Sequence, residues 1–413
     1  MPFTIEKDFE DALIKRLTEL PNQWSPDILE YKTEQELINN WADFLNQNNN
    51  LPDRLNNCPL TDGEMRQVLA KLNSTPYETN KLLSGNLIPI TRDNPDDLQH
   101  LGKTIYLFIF DKDKIGGGNS KYQIARQPRF TTDSEILGNR RGDLMMLING
   151  MPLIHIELKA SNHHVSEACN QIEKYMKLGV FTGFFSLVQM FVAMTPEETV
   201  YFANPGRLGM FNPDYQFHWA NFNNTPINDW EDIARNFLSI PMAHQMIGYG
   251  TVADGADNTL KIMRSYQYYA AIKVYARAID ENVWDAHTQE GGYVYHTTGS
   301  GKTLTSFKCA QLIASSKKVD KIVFLMDRTE LWKQTFIKYR GFAVSEQVDD
   351  VTSTRDLIAK LCSGTGPEDD SSQLIVASIQ KMSRITIENG ANPLDVQKIQ
   401  KKRIVFIIDE AHQ

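Results

Sequence analysis

Residues Gly292–Thr303 read G-Y-V-Y-H-T-T-G-S-G-K-T: a short β-prone run, Tyr293–Tyr295, enters a glycine-rich turn ending in Gly301-Lys302-Thr303. An apolar helical pattern follows at Leu304, Phe307, Ala310, Leu312 and Ile313. Strand, glycine loop and helix start together make a cradle for phosphates. The N–H groups of Thr298, Gly299, Ser300 and Gly301 and the positive end of the helix face the anion. Lys302 adds a point charge and the Thr303 hydroxyl is a ligand for Mg²⁺. His296 departs from the pattern, which has a small residue there. The final residues, Arg403–Gln413, read R-I-V-F-I-I-D-E-A-H-Q. Ile404–Ile408 has the composition of a fully buried parallel strand, with Asp409 at its carboxyl end, where open α/β sheets bind ligands. Asp409 is expected to hold Mg²⁺ through water and Glu410 to polarise an attacking water. A glycine turn, or two acids ending a core strand, is bland alone; the two about a hundred residues apart point to an ATP–Mg²⁺ site.

A second constellation is Asp143, Glu157 and Lys159, in R-R-G-D-L-M-M-L-I-N-G-M-P-L-I-H-I-E-L-K-A-S. On a strand over Leu153–Lys159, the odd positions Leu153, His155, Glu157 and Lys159 share one face. Ile154, Ile156 and Leu158 bury the other. Asn149-Gly150 folds the segment into a hairpin and returns Asp143 to the neighbourhood of Glu157. Two carboxylates converging beside a lysine suit a hard cation such as Mg²⁺, which lowers the pKa of a bound water so that it attacks phosphorus. Lys159 then orients that water or meets the developing charge. The plain alternative is a half-exposed hairpin with a charged outer face.

Register decides between them. A bare two-residue turn pairs position 143 with 156, so Asp143 points away from Glu157. An even register is required, and a three-residue loop Ile148-Asn149-Gly150, with Gly150 in αL as a bulge, is expected to supply it. Asp143 then faces His155, with Glu157 diagonal to it. Pro152, which lacks a donor, fits an irregular strand start. Glu10, on the first helix, is a candidate further carboxylate for the metal site.

The elements that must position these groups follow from periodicity. Residues 4–20 (capped by Thr4), 33–47 and 61–73 are expected as amphipathic helices, the third opened by a Thr61/Glu64 capping box. Strands are expected at 104–110, 122–127, 142–148, 153–159, 187–194 and 199–203, a loop at Gly116–Gly118, and a helix at 165–178. Residues 1–240 thus read as one α/β unit around a mixed sheet, and the Gly-, Ala- and Asp-rich stretch 241–260 as a linker. Over 261–413 the order is helix 262–280, strand 293–296, helix 303–315, strand 321–326, helix 329–339, helix 353–362, loop 363–372 and strands 373–378 and 403–408. That is a parallel sheet. No internal repeat is visible.

Composition bounds the rest. The chain has 413 residues, 41% of them hydrophobic, enough for two or three domains with sizeable cores. Its four cysteines, Cys58, Cys169, Cys309 and Cys362, form no C-x-x-C pair, which argues against a zinc ribbon or disulfide framework and suits a reducing compartment. No apolar run approaches a membrane span, and the N-terminus lacks the basic-then-apolar order of a signal peptide. A net charge of −8 does not announce nucleic acid, so any DNA contact needs local basic strips.

Asp143, then Glu157-x-Lys159, then Gln171-x-x-x-Tyr175 on the next helix resembles the PD-(D/E)xK nucleases of the RecB type, with Gly142 in place of the proline. In that family the carboxylates and lysine are catalytic and the Gln/Tyr helix supports the site or its DNA. The glycine loop and D-E-A-H resemble superfamily 2 helicases and translocases. Arg264-x-Tyr266-Gln267 is similar to the adenine-reading motif before such motors, Asp327-Arg328 through Gln334 to the segment after the second strand, and Val376–Lys381 to a later DNA-contacting motif. A nuclease followed directly by such a motor looks like the R subunit of a type I restriction-modification enzyme, from near residue 4 to 413. The resemblance implies an α/β fold class, a restriction-endonuclease-like mixed-sheet nuclease domain ahead of a parallel-sheet RecA-like (P-loop) lobe. It implies Mg²⁺ and ATP as cofactors, double-stranded DNA as substrate, separate M (methyltransferase) and S (specificity) subunits as partners, and a bacterial or archaeal cytoplasm with no membrane. It also implies that a second lobe, bearing an arginine needed for hydrolysis, is missing after residue 413, so the chain is expected to bind ATP without turning it over. A type III restriction or recombination-repair enzyme is the first alternative, and the nuclease-first order argues against it. A truncated assembly subunit without catalysis is the second, and intact Asp143, Glu157 and Lys159 argue against that.

Overall fold

The structure, a computed structural model, describes residues 2–21, 24–72, 75–85, 87–112, 115, 120–130, 140–206, 211–285, 291–326, 329–343, 348–364 and 374–409. The chain divides into two compact units, Met1–Ala253 with Asn258–Ser265, and Asp254–Asp257 with Tyr266–Gln413.

The first unit is built on a six-stranded sheet in the order β1 (Leu29–Glu30), β2 (Tyr122–Arg126), β3 (Leu144–Ile148), β4 (Met151–Leu158), β5 (Met190–Met194), β6 (Thr199–Ala203). Pairs β1–β2 and β4–β5 are parallel and the other three antiparallel. Every residue of β3, β4 and β5 is buried, so the centre of the sheet is covered on both faces. A half-exposed hairpin is therefore excluded. The expected strand near 104–110 forms as Thr104–Phe108 but pairs with an unforeseen neighbour, Leu87–Thr91, in a separate hairpin.

The first unit also carries helices α1 (Glu6–Thr18), α2 (Glu34–Asn48), α3 (Asp62–Ala70), α4 (Pro76–Gly85) and α5 (Val165–Lys177). In α1, Phe9, Leu13 and Leu17 are buried at helical spacing, whereas the N-cap position is Ile5 without a side-chain cap rather than Thr4. Thr33 and Thr61 both form complete capping boxes, with Glu36 and Glu64. Crossover α5 joins the parallel strands β4 and β5 and buries Ala168, Ile172 and Tyr175. Of residues 241–260, read from the sequence as a linker, 241–253 and 258–260 belong to the first unit and 254–257 to the second: Thr251–Asp254 and Thr259–Ile262 form a two-stranded sheet, and Ala253 and Leu260 pack on Tyr77.

Glu64 has a second role. Its Oε2 lies 2.5 Å from Arg92 Nη1, and Arg92 Nε lies 2.9 Å from Asp97 Oδ2, with all three side chains fully buried. Arg92 also donates to the Leu55 carbonyl at 3.2 Å. One guanidinium thus ties α3 to two flanking loops.

The second unit carries β7 (Lys321–Met326), β8 (Val348–Asp350), β9 (Leu374–Ser378) and β10 (Ile404–Ile408) in the order β8-β9-β7-β10, all parallel. Helix α6 (Ser265–Ile279) and helix α7 (Lys302–Ser315) precede β7. Helices α8 (Thr329–Phe342), α9 (Thr354–Cys362) and α10 (Pro393–Gln400) connect the strands in turn. Val323, Leu325, Val351, Leu357, Leu361, Ile375 and Ala377 fill one side of this sheet.

Two expectations fail here. β10 is not fully buried, since Phe406 and Ile408 are 42% and 49% exposed. Residues 293–296 form no strand, with Tyr293 and Tyr295 95% and 86% exposed. The reason is shared. A strand persists by pairing and by cover on its faces, and among the described residues β10 has only β7 beside it while 293–296 has no neighbour.

Replacing Arg92 with alanine takes from the buried Glu64 and Asp97 carboxylates the cation they share, a change that costs about 3–5 kcal/mol. Urea denaturation is expected to show the first unit's transition at markedly lower denaturant in Arg92→Ala; an unmoved midpoint contradicts the structural role assigned to this network.

Candidate active site

The β3–β4 hairpin turns through Asn149 and Gly150, both left-handed at φ of 52° and 80°, which is the two-residue hairpin turn. Gly150 is required twice over, because a Cβ there would stand 2.8 Å from the Trp41 Cα of α2. The three-residue loop expected from the sequence is thus not formed. The even register comes from a bulge further along: Leu147 pairs with Pro152 and Met146 with Ile154, leaving Leu153 as the extra residue. Its carbonyl is used by the Gln189 N–H at 2.9 Å. Beyond the bulge Leu144 pairs with Ile156, and continuing that register sets Asp143 opposite Glu157 rather than His155.

Asp143 is held from both sides. Its carbonyl accepts from Gln127 N–H, and its carboxylate Oδ2 accepts from Leu158 N–H, each at 2.7 Å. Lys159 Nζ lies 3.8 Å from Glu157 Oε1 and 3.1 Å from Glu6 Oε2, and donates to the Leu158 carbonyl at 2.7 Å. Glu6 is not among the residues expected from the sequence. Its signal was there, since it stands one turn before Glu10 on the same face of α1. Glu10 itself is buried against Arg126, to which it is ion-paired, and accepts from Gln127 Nε2 at 3.2 Å. The structure therefore gives it a guanidinium as partner.

Gln171 and Tyr175 come together as expected. Gln171 Nε2 donates to the Tyr175 hydroxyl at 2.7 Å, and that hydroxyl donates to the Arg141 carbonyl at 2.6 Å. Helix α5 thereby fixes the backbone two residues before Asp143. Glycine is required at position 142 for a spatial reason: a Cβ would meet His155 Cε1 at 2.6 Å and the Phe130 ring at 2.9 Å.

Among the described residues, no three or more His, Cys, Asp and Glu side chains converge as a metal cage. A cation between Asp143 and Glu157 would have water and substrate oxygens for its other ligands, the habit of Mg²⁺. To that extent the donor set fits.

In the second unit the glycine loop leads into α7, whose N-cap is Gly301 in αL at φ 86° with no side-chain cap. A helix start with no side-chain cap is a setting that suits an anion. Lys302 Nζ lies 4.0 Å from Asp409 Oδ1 at the end of β10, and Asp409 N–H is tied to the Leu325 carbonyl of β7 at 3.1 Å. Thr303 is half-buried on the first turn. Gln267 donates to the carbonyls of Ser300 and Gly301 at 3.4 and 3.2 Å, and Tyr266 to that of Ser300 at 2.7 Å. His296 Nδ1 stands 2.8 Å from Ser300 Oγ, so the departure from a small residue serves as a brace on the loop. Thr298, Gly299 and Ser300 lie in the turn. Glu410, Asp327 and Arg328 fall outside the described residues, as does the loop at Gly116–Gly118.

A family model described as the type I restriction enzyme R protein N terminus matches residues 9–209, and one described as SWI2/SNF2 ATPase matches residues 266–413. The chain is 34% identical over 383 residues to the SsaAORF53P type I restriction enzyme endonuclease subunit of Staphylococcus saprophyticus, a match that takes in 92% of this chain and 37% of that protein. It is 32% identical over its whole length to the SauMRSORF196P endonuclease subunit of Staphylococcus aureus MRSA252, covering 40% of that protein. It is 33% identical over 200 residues to the C-terminal part of the putative MpnIIP endonuclease subunit of Mycoplasma pneumoniae, 92% of which it covers. The chain belongs to the type I restriction enzyme endonuclease subunits. It spans about two fifths of the length of the Staphylococcus relatives.

In this member of the endonuclease subunits the electrostatics of the carboxylate pair follow from burial. Desolvation pushes Glu157 up to about 8, against the pull of Lys159. Burial, and then the neighbouring Glu157, raise Asp143 well above its ordinary value. His155, fully buried, is held down at about 4 by desolvation and is neutral. Lys159 is raised by Glu157, Asp143 and Glu6, which outweigh its own desolvation. A carboxyl with a raised folded pKa stabilises the fold fully below its unfolded value, near 4.5, and that contribution disappears as pH rises through 8. The metal-free first unit is therefore expected to lose melting temperature between pH 5 and 8, with a shallower slope in Glu157→Gln. Parallel slopes for the two proteins in thermal melts contradict this.

Proposed function

We propose that this chain is the DNA-cleaving and ATP-binding part of a type I restriction enzyme's R subunit. The observation that carries the reading is the register that sets Asp143 opposite Glu157 with Lys159 Nζ 3.8 Å from the latter. Asp143 and Glu157 would hold Mg²⁺, which when bound supplies a water of lowered pKa and polarises the scissile phosphate. Lys159, anchored between Glu6 and Glu157, orients the attacking water or meets charge developing on phosphorus. Tyr175 and Gln171 keep the Arg141–Asp143 backbone at the distance this requires. In the second unit the loop Thr298–Gly301 and Lys302 receive the ATP phosphates, Thr303 and Asp409 hold the nucleotide's Mg²⁺, Glu410 aligns water, and Gln267 lies beside the loop to read the base. For the whole enzyme we propose ATP-driven translocation of double-stranded DNA followed by cleavage. It would act in complex with M and S subunits, in a bacterial or archaeal cytoplasm. Among the described residues no helix is long and apolar enough to cross a membrane.

Supercoiled plasmid incubated with Mg²⁺ and no ATP is expected to be nicked by the wild-type chain and about 10²-fold more slowly, or less, by Lys159→Ala. A wild type that nicks nothing, or equal rates, contradicts the nuclease reading.

Calorimetry is expected to show that Lys302→Ala abolishes ATP binding while leaving the first unit's divalent-cation binding intact, because the first unit's carboxylates lie outside the phosphate cradle. Equal nucleotide affinity in the two proteins counts against a working phosphate cradle.

A further inference from the structure

We propose that His155 is a positioning residue that decides which oxygen of Glu157 a cation meets; this rests on the reading of Asp143 and Glu157 as the cation site. His155 stands two residues before Glu157, beyond the Leu153 bulge, so both side chains leave the same face of β4. The ring is fully buried, and its Nε2 lies 3.3 Å from Glu157 Oε2. Lys159 Nζ is 3.8 Å from the other oxygen, Oε1. One carboxylate is thus divided: Oε2 lies beside the imidazole and Oε1 beside the lysine.

The imidazole is caged. Ring centroids of Phe181, Phe130, Phe191 and Tyr175 lie 5.3, 6.0, 6.1 and 6.2 Å away, and the Gly142 backbone closes the remaining side. An aliphatic or aromatic side chain would fill such a cage without the cost of burying two ring nitrogens. The hydrogen bond to Glu157 is what an imidazole adds. Carboxylate ligands of metals are themselves held by hydrogen-bonding partners, and losing such a partner typically costs 10–100-fold in metal affinity. With Oε2 engaged, Glu157 is a monodentate ligand. That suits the near-octahedral shell of Mg²⁺ or Mn²⁺ and withholds the bidentate contact that the larger Ca²⁺ accepts.

The test is calorimetric titration of the full chain with Mn²⁺ and with Ca²⁺, comparing wild type, His155→Gln, His155→Met and Glu157→Ala, with thermal melts of each. His155→Met, which fills the cage and donates nothing, is expected to bind Mn²⁺ at least about 10-fold more weakly while keeping its Ca²⁺ affinity, so that the preference for Mn²⁺ narrows. His155→Gln, whose amide can reach Oε2, is expected to recover most of the loss. Should His155→Met fail to fold, His155→Asn, polar but too short to reach, takes its place against His155→Gln. Wild-type Mn²⁺ affinity in the Met (or Asn) variant, or equal losses in it and the Gln variant with an unchanged Mn²⁺/Ca²⁺ preference, overturn the positioning role alone. Undiminished Mn²⁺ binding by Glu157→Ala overturns the cation-site reading beneath it.

Discussion

Side chains on a strand alternate between faces, so carboxylates on two paired strands meet only when their register has the right parity. The whole first unit turns on that constraint. A two-residue turn at Asn149-Gly150 gives the wrong parity, and its tightness is enforced from outside, because α2 packs its Trp41 backbone against Gly150. The correction is made along the hairpin, where Pro152 cannot donate to the ladder and Leu153 is extruded as a bulge. From Leu144 onward toward Asp143 the strands are back in even register, and the two carboxylates face each other. His155, two residues before Glu157 on the same face of β4, lies beside it and against Gly142.

Burial makes the constellation consequential. β4 is covered on both faces, which removes water from Glu157 and His155 and makes every charge nearby count for more. Two desolvated carboxyls close together resist ionising, and the groups that relieve them are cations. One is Lys159, itself steadied by Glu6 from α1. A divalent ion would be the other. The site is therefore under electrostatic tension without metal, a state found where chemistry is done. The Glu64–Arg92–Asp97 network is also fully buried, yet its charges already have partners, and its role is to hold loops together.

The second unit reaches its site by another route. Parallel strands all end on one edge of the sheet, and Asp409 of β10 and the start of α7 meet there, with Lys302 4.0 Å from the acid. Positive φ at Gly299 and Gly301 lets the loop backbone turn without a side chain in the way. At Gly301 a Cβ would collide with the Gln267 amide, and Gln267, the residue expected to read the base, also braces the glycine loop through the Ser300 and Gly301 carbonyls.

Local rules carried much of this protein in its sequence. The capping boxes at Thr33 and Thr61, the apolar faces of α1 and α5, and the strands β2, β3, β6 and β7 are short-range features. The same holds for the juxtaposition of Gln171 with Tyr175, one helical turn apart. Motif spacing likewise pointed to Lys302 and Asp409, because a glycine cradle and an acid at a strand end are each local patterns. What depended on distant parts of the chain was decided only in three dimensions. The bulge at Leu153, the pairing of Glu10 with Arg126 and the arrival of Glu6 at Lys159 are all set by which element packs on which. So are the absorption of residues 241–253 and 258–260 into the first unit and the failure of 293–296 to become a strand. Period and propensity describe a segment by itself, whereas register, ion pairing and strand formation need a partner, and its identity lies elsewhere in the chain.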